Sequence, residues 1–487
     1  MKNLRKGTWL LALLCCFGLL TGGVHALAAE EVSSESLTMK NGVYIEHMDV
    51  AGMTVEEARQ TVEDYIEELQ KTEIYLSFGE DVEVLTMEYL GLTWTNPEVI
   101  DEAIVYGNTG NILQRYKAVR NLENDKVVLE LAFSWKEHVL RNFVETQAQE
   151  RHVDPVRAEI VRDNKAKEFI ITDSVLGVDV EVVDTVDAVI EAIEPAFSGE
   201  DVYVDAVMKY TEAEFTSAMA ANITDILGEY ETIYNAAEID RSTNLKVACD
   251  YINGVVLLPG ESLSFFDYLY PVTTERGYRT ATAYQGGRYI DSLGGGLCQV
   301  STTCYNAVLL AELEVVARTQ HSMTVSYVKP GLDSGQAWSS GRNLHFANNT
   351  EYPVYVEAHL YTNRYGTSFI YIGLWGKETR PENRTVKYDS EYTEEWPYDG
   401  QPVIEYDTTM GYLEWDRTQG QYPKVYAMAY KYVYIDGKLE SKTPLYDKQD
   451  YYRPTPEYWR VGTGGLSVEE FLATLPEGTV LYPPTPQ

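Results

Sequence analysis

Gly294-Gly295-Gly296-Leu297-Cys298-Gln299-Val300-Ser301-Thr302-Thr303 runs three glycines straight into a cysteine, at the point where a helical pattern begins. Glycine takes backbone conformations that a Cβ forbids. A helix N-terminus offers unpaired N–H groups and the positive end of the macrodipole, and both favour thiolate over thiol. Leu297, Val300, Cys304, Ala307, Val308 and Ala311 recur at helical spacing, which predicts a helix over 297–312 with that stripe in the core. Cys304 is then a small buried hydrophobe, and Cys249 inside Val247-Ala248-Cys249-Asp250-Tyr251 reads the same way. Cys298 lies off the stripe, at the helix start.

A nucleophile needs a base within reach, and the base needs an orienting partner. His321, heading the strand-like run His321-Ser322-Met323-Thr324-Val325-Ser326-Tyr327, is the candidate base, and Asp333 in Gly331-Leu332-Asp333-Ser334-Gly335 the candidate partner. Gly295, Gly296 and Gln299 would hold an oxyanion or simply shape the turn. Each has a plainer reading: a buried cysteine behind a glycine turn, a histidine bonded to backbone, an aspartate in an ordinary turn. Cys298, His321 and His345 could together supply metal ligands, but short C-x-x-C or H-x-x-x-H spacing is missing, so neither metal nor other cofactor is expected. The glycine pairs lack a nucleotide-binding context.

The 487-residue chain opens with Lys2, Arg5 and Lys6, an apolar run from Trp9 to Leu20, and Ala26-Leu27-Ala28, the three parts of a secretory signal. An uncleaved membrane anchor is the alternative. Cleavage after Ala28 would leave 36 basic against 75 acidic residues, a net charge of −39. That balance excludes nucleic acid and anionic lipid as partners and predicts repulsion from acidic wall polymers. Only Cys249, Cys298 and Cys304 would remain, an odd number. Six residues on one helix rise about 9 Å, beyond the roughly 7 Å that a disulfide spans, so Cys298 and Cys304 should not pair. Stability must come from apolar cores.

The predicted organisation is multidomain α+β. Residues 46–124 and 125–213 form two small α+β units, suggested by Leu90-Gly91 and Leu176-Gly177, each followed by alternation and a helix. Thr54 with Glu57 marks a capping box at the first helix. Phe215–Gly228 reads as a helical bridge. A central α+β domain covers 221–376, with strands at 315–317, 323–328, 354–360 and 369–374. Residues 377–400, charged and broken by proline, read as a linker. In 401–465, Tyr426, Met428, Tyr430, Tyr432 and Tyr434 alternate with other residues, and Asp436-Gly437 signals a hairpin in a small all-β module. The tyrosine stripe would be half of its core. A tail at 466–487 starts with a helix capped by Ser467.

The central segment resembles the VanW family, named for an accessory protein of glycopeptide-antibiotic resistance clusters. The likeness rests on Pro259-Gly260-Glu261, Gly277-Tyr278, the run from Gly294 to Thr303 with Tyr305-Asn306-Ala307, Arg318, His321-Ser322, Tyr327, Pro330-Gly331, Asp333, and Phe346 with Asn348. The N-terminal units look like the peptidoglycan-binding domain that often precedes VanW domains. The tail, with Tyr452-Arg453-Pro454 and Val461-Gly462-Thr463, weakly resembles the five-glycine extracellular module. The resemblance implies an extracytoplasmic protein of a Gram-positive envelope, secreted or anchored to the outer face of the membrane, that binds peptidoglycan or wall peptide. The alternative it leaves open is a cysteine-dependent hydrolase or transferase acting on wall peptide or amide bonds.

Overall fold

The structure, a computed structural model, describes residues 37–396 and 400–484. The expected signal or anchor at 1–28 lies outside the described residues. Helices and small sheets alternate along the chain, as α+β predicts, and the chain divides into two compact units. One comprises the chain up to Glu150 with Val180–Met208. The other comprises Arg151–Asp179 and everything from Lys209 onward.

In the first unit, helix Val55–Gln70 starts at the expected capping box: the Glu57 N–H donates to Thr54 Oγ1, and the Thr54 N–H donates to Glu57 Oε2 at 2.8 Å. Its apolar face, Ala58, Val62, Ile66 and Leu69, is buried. Strands Glu73–Phe78 and Asp81–Thr86 form a hairpin, and Val202–Asp205 lies parallel to the first of them with Val202 opposite Ile74. The stretches read as consecutive repeats therefore share one sheet and one core, where Ile74 and Leu76 meet Val186 and Val189.

The second unit is built on a four-stranded antiparallel sheet in the order Asp225–Tyr234, Ser368–Gly376, Val354–Thr362, Val256–Leu257. Helix Leu297–Ala311 lies against it, one residue shorter than expected. Gly228 makes this contact possible: a Cβ there would stand 2.2 Å from Ala311 N and 2.5 Å from Ala307 O. Almost the whole helix is buried, including the polar Ser301, Thr302, Thr303 and Asn306. Cys249 and Cys304 sit in the main core as free thiols, and Cys298 is also unbonded.

Three expectations need correcting. Phe215–Gly228 is helical only over Ser217–Ala220, since Thr216 caps one turn and the chain then enters the central sheet. Residues 323–328 form no strand: the backbone there serves the site, with the His321 N–H given to Asp333 and Ser322 O taken by Arg453 N. The expected linker contains strand Arg384–Glu395, paired along its whole length with Lys424–Ile435. Most of it is polar or exposed on both faces, so no apolar period announced it.

Strand Lys424–Ile435 turns at Asp436-Gly437, both at positive φ, into Lys438–Pro444, as that dipeptide predicts. Its buried face is the reverse of the one expected. Val425, Ala427 and Ala429 are inside, and the tyrosines are half-buried. The small face has a purpose: at Gly331, φ 89°, a Cβ would come within 3.4 Å of Ala427 Cβ. The loop carrying Asp333 seats there.

Candidate functional site

Cys298 occupies the first turn of helix Leu297–Ala311, and Gly296, φ 116°, is the N-cap. Gly295 has no room for a side chain, because a Cβ would lie 2.3 Å from Ala281 O. The glycines thus lay the helix start against strand Thr280–Gln285 and leave Cys298 half-buried. The Gln336 N–H donates to Cys298 Sγ at 3.3 Å. Gln299 lines the same cavity, but its side-chain amide is already engaged. Its side chain is buried, donates to Ile233 O at 2.8 Å and accepts from Arg241 at 2.9 Å. It anchors the helix to the sheet and does not face the sulfur's cavity with a free donor.

His321 is 4% exposed and Asp333 fully buried. Asp333 Oδ2 accepts from the His321 backbone N–H at 2.7 Å and lies 2.6 Å from His321 Nδ1. Ring and backbone of the histidine are therefore fixed by one carboxylate oxygen. The other ring nitrogen, Nε2, is buried with no partner that meets hydrogen-bond geometry. Its charged neighbour is Cys298, since each group shifts the other's pKa. The structure brings together all three residues of the sequence-derived set.

The electrostatics favour the ionised pair. Burial raises the Cys298 thiol, but His321, the Gln336 N–H and Arg241 outweigh it, and the net shift is downward. Burial lowers the His321 imidazolium, yet contact with Asp333 and Cys298 raises it to about 10. Burial opposes the charge of Asp333, while His321, Arg318 and Tyr452 hold the carboxyl well below its usual range. Cys249 and Cys304 show the opposite case, with burial pushing both thiols far up. Of these three thiols, only that of Cys298 is shifted downward.

Behind the triad lies a clamp that sequence reasoning did not assign. Arg318 donates from Nε to Asp333 O at 2.6 Å, from one terminal nitrogen to Asp333 Oδ1 at 3.0 Å and from the other to Asp450 Oδ2 at 2.6 Å. Its guanidinium stacks 4.8 Å from the Tyr446 ring centre. The Tyr452 hydroxyl donates to Asp333 and accepts from the Gly331 N–H at 2.7 Å. Asp450 and Tyr452 alternate inward on strand Asp450–Tyr452. An aspartate and a tyrosine two apart on a strand was the available signal. His345, the third metal candidate, bonds Ser262 at 2.9 Å, and no group of three ligating side chains suited to a metal occurs among the described residues.

A cavity of about 930 Å³ opens over Cys298, His321 and Gln336, walled by Tyr270, Tyr284 and Tyr327. An aromatic-lined recess with a few convergent polar groups is the form of a ligand site. An activated thiolate beside an oriented imidazolium can attack an acyl carbon and protonate a leaving amine.

The helix, the sheet and the site lie largely within residues 240–370, which match the family described as "VanW like protein". Residues 83–200 match the "Putative peptidoglycan binding domain" family, a span that crosses from the first expected repeat into the second. Among curated relatives, the uncharacterized protein YoaR of Bacillus subtilis is 36% identical over 155 residues, 32% of this chain and 50% of that protein. The vancomycin B-type resistance protein VanW of Enterococcus faecalis is 30% identical over 90 residues, 18% of this chain and 32% of that protein. The chain therefore spans half or less of these relatives. Two solved G5 domains, HP0197-G5 and that of an IgA1 protease, align over 16% of the chain at 17% and 15% identity, covering 95% and 92% of those chains, with TM-scores of 0.09 and 0.10. No helix among the described residues is long and apolar enough to cross a membrane.

Proposed function

We propose that this chain is a cell-envelope protein that binds peptidoglycan or wall peptide, in the manner of an accessory protein of the VanW type. The observation that carries the reading is the union, in one chain, of the peptidoglycan-binding match at 83–200 and the VanW-like match at 240–370. The first unit would grip the polymer. The cavity over Cys298 would receive a peptide from it. Export by the N-terminal segment, by cleavage or as a single anchor, would place both outside the membrane of a Gram-positive cell. The strongly acidic chain would stand off anionic polymers and make short-range contacts with uncharged sugar and peptide. Co-sedimentation of the purified protein with isolated sacculi is the test. Retention in the pellet is expected, and a protein left in the supernatant contradicts the reading.

A second reading is favoured by the Cys298–His321–Asp333 arrangement: cysteine-dependent acyl transfer on wall peptide. Cys298 thiolate attacks an amide carbonyl carbon, forming the C–S bond, and the Gly296 and Cys298 N–H groups receive the oxyanion, since those of Gly295, Leu297 and Gln299 already donate within the turn. The C–N bond breaks as His321 gives its proton to the leaving amine. Water or an amine then attacks the thioester, its proton returns to His321, and the thiolate is released. A wild-type wall phenotype in cells carrying only Cys298→Ala would remove this second reading and leave the first intact.

A further inference from the structure

The chain carries a net charge of −36, yet among the described residues the cavity over Cys298 is lined by no aspartate or glutamate and by three arginines, Arg241, Arg342 and Arg453. Arg241 is engaged with Gln299 at 2.9 Å and lies 3.8 Å from Glu238. Arg342 is half-buried and Arg453 exposed, and neither has a carboxylate partner among the described residues. Acids on the same segments are kept away. Asp291 alternates with the lining residues Ile290 and Ser292, and Glu457, between lining Pro456 and Tyr458, is paired with Arg417. In so acidic a protein, an acid-free recess with two unpaired guanidinium groups is a site for a negative group.

The recess also holds unmet hydrogen-bonding capacity. The Tyr327 hydroxyl and Gln336 Oε1 are buried without partners, and both residues line it, whereas His321 Nε2 has the Cys298 sulfur as its neighbour. Buried polar atoms are ordinarily satisfied, so orphans gathered in one cavity point to a ligand that completes them. Gln336 Oε1 requires a donor, and the tyrosine hydroxyl offers one. An amide backbone supplies both kinds of group, whereas a phosphodiester chain supplies acceptors and charge.

We infer that the cavity takes a short peptide with a free carboxylate, held by Arg342 and Arg453, with a neighbouring amide lying over Cys298. The inference rests on the wall-peptide reading above and names the part of the peptide that is recognised. The test is calorimetric titration of the whole protein with three probes: an N-acetylated stem tetrapeptide with a free C-terminal carboxylate, its C-terminal carboxamide, and an oligomer of glycerol phosphate. The free acid is expected to bind about tenfold or more tighter than the carboxamide. That preference should weaken with added salt and vanish in the Arg342→Gln, Arg453→Gln double variant, whose thermal unfolding serves as the check on folding. Equal affinity for acid and carboxamide overturns the inference and leaves wall binding untouched. Tighter binding of the phosphate oligomer overturns it in favour of an anionic polymer. No binding of any probe by a protein that still sediments with sacculi overturns the assignment to this cavity alone.

Discussion

The Tyr452 hydroxyl donates to Asp333, the carboxylate that orients His321. A residue in the C-terminal β region thereby completes the hydrogen bonding of a group in the stretch that matches the VanW-like family, across 119 residues of sequence. Asp450, on the same short strand, holds the Arg318 guanidinium that grips Asp333 from the other side. The candidate site is thus closed by residues beyond the 240–370 family match.

Tyr452→Phe removes that hydroxyl, leaves the Gly331 N–H without its acceptor in the interior, and takes one of two donors from Asp333 Oδ1, which Arg318 still holds. Leaving buried groups unpaired costs about 1–3 kcal/mol. The urea midpoint should fall accordingly, and Cys298 should react more slowly with iodoacetamide as Asp333 holds His321 less firmly.

Cys298 should alkylate at pH values below those of an ordinary thiol, because its folded pKa is lowered. His321 keeps its proton until pH passes about 10, so the charged pair spans the interval between the two. The pair's contribution to stability follows the same signs. The His321 part is fully present below the unfolded imidazole pKa and lost as pH rises through about 10, whereas the Asp333 part is present above the unfolded carboxyl pKa and lost as pH falls. His321→Ala should move the alkylation profile of Cys298 upward. An unchanged profile would mean that the histidine does not tune the sulfur.

Glu312 ends the cysteine helix and is gripped by Arg384, Lys431 and Arg380, on segments that include the strand taken for a linker. Burial raises its carboxyl, but these cations outweigh it and bring the pKa down to about 2. Stability from this cluster is present above the unfolded value and lost as pH falls toward about 2. Glu312→Gln should therefore cost about 2–3 kcal/mol at neutral pH. It should cost progressively less on acidification, as chemical unfolding at several pH values would read.

Gly228→Ala should be among the most damaging small substitutions. The added carbon meets Ala311 N and Ala307 O, which are backbone atoms of a buried helix and cannot turn aside. A loss of about 2 kcal/mol or more is expected, visible as a lower unfolding midpoint.

The cysteine helix, its glycine lead-in and the buried roles of Cys249 and Cys304 were legible because their signals are local: helical spacing, φ-permissive residues, a thiol on or off an apolar stripe. His321 and Asp333 came from a motif, and their mutual contact spans only 12 residues. Arg318 and Tyr452 stood in quoted motifs with no role attached, since their partners lie 15 and 119 residues away and no local period encodes such contacts. Strand Arg384–Glu395 escaped notice because it is mostly polar and is joined to its neighbour by cross-strand ions such as Lys424 with Glu395, which resemble a solvated linker in one dimension. The tyrosine stripe misled for a related reason. Its alternation was correct, but alanine was the inward face, chosen to admit the Gly331 loop.

The most direct measurement is the rate at which iodoacetamide modifies Cys298 in the folded protein, with and without a soluble stem tetrapeptide, using Cys249 and Cys304 as internal references. Fast, single-site labelling of Cys298 that the peptide suppresses in a saturable way is the predicted result. Equal labelling of the three thiols, or a Cys298 rate indifferent to the peptide, would contradict a wall-peptide cavity built over a prepared sulfur.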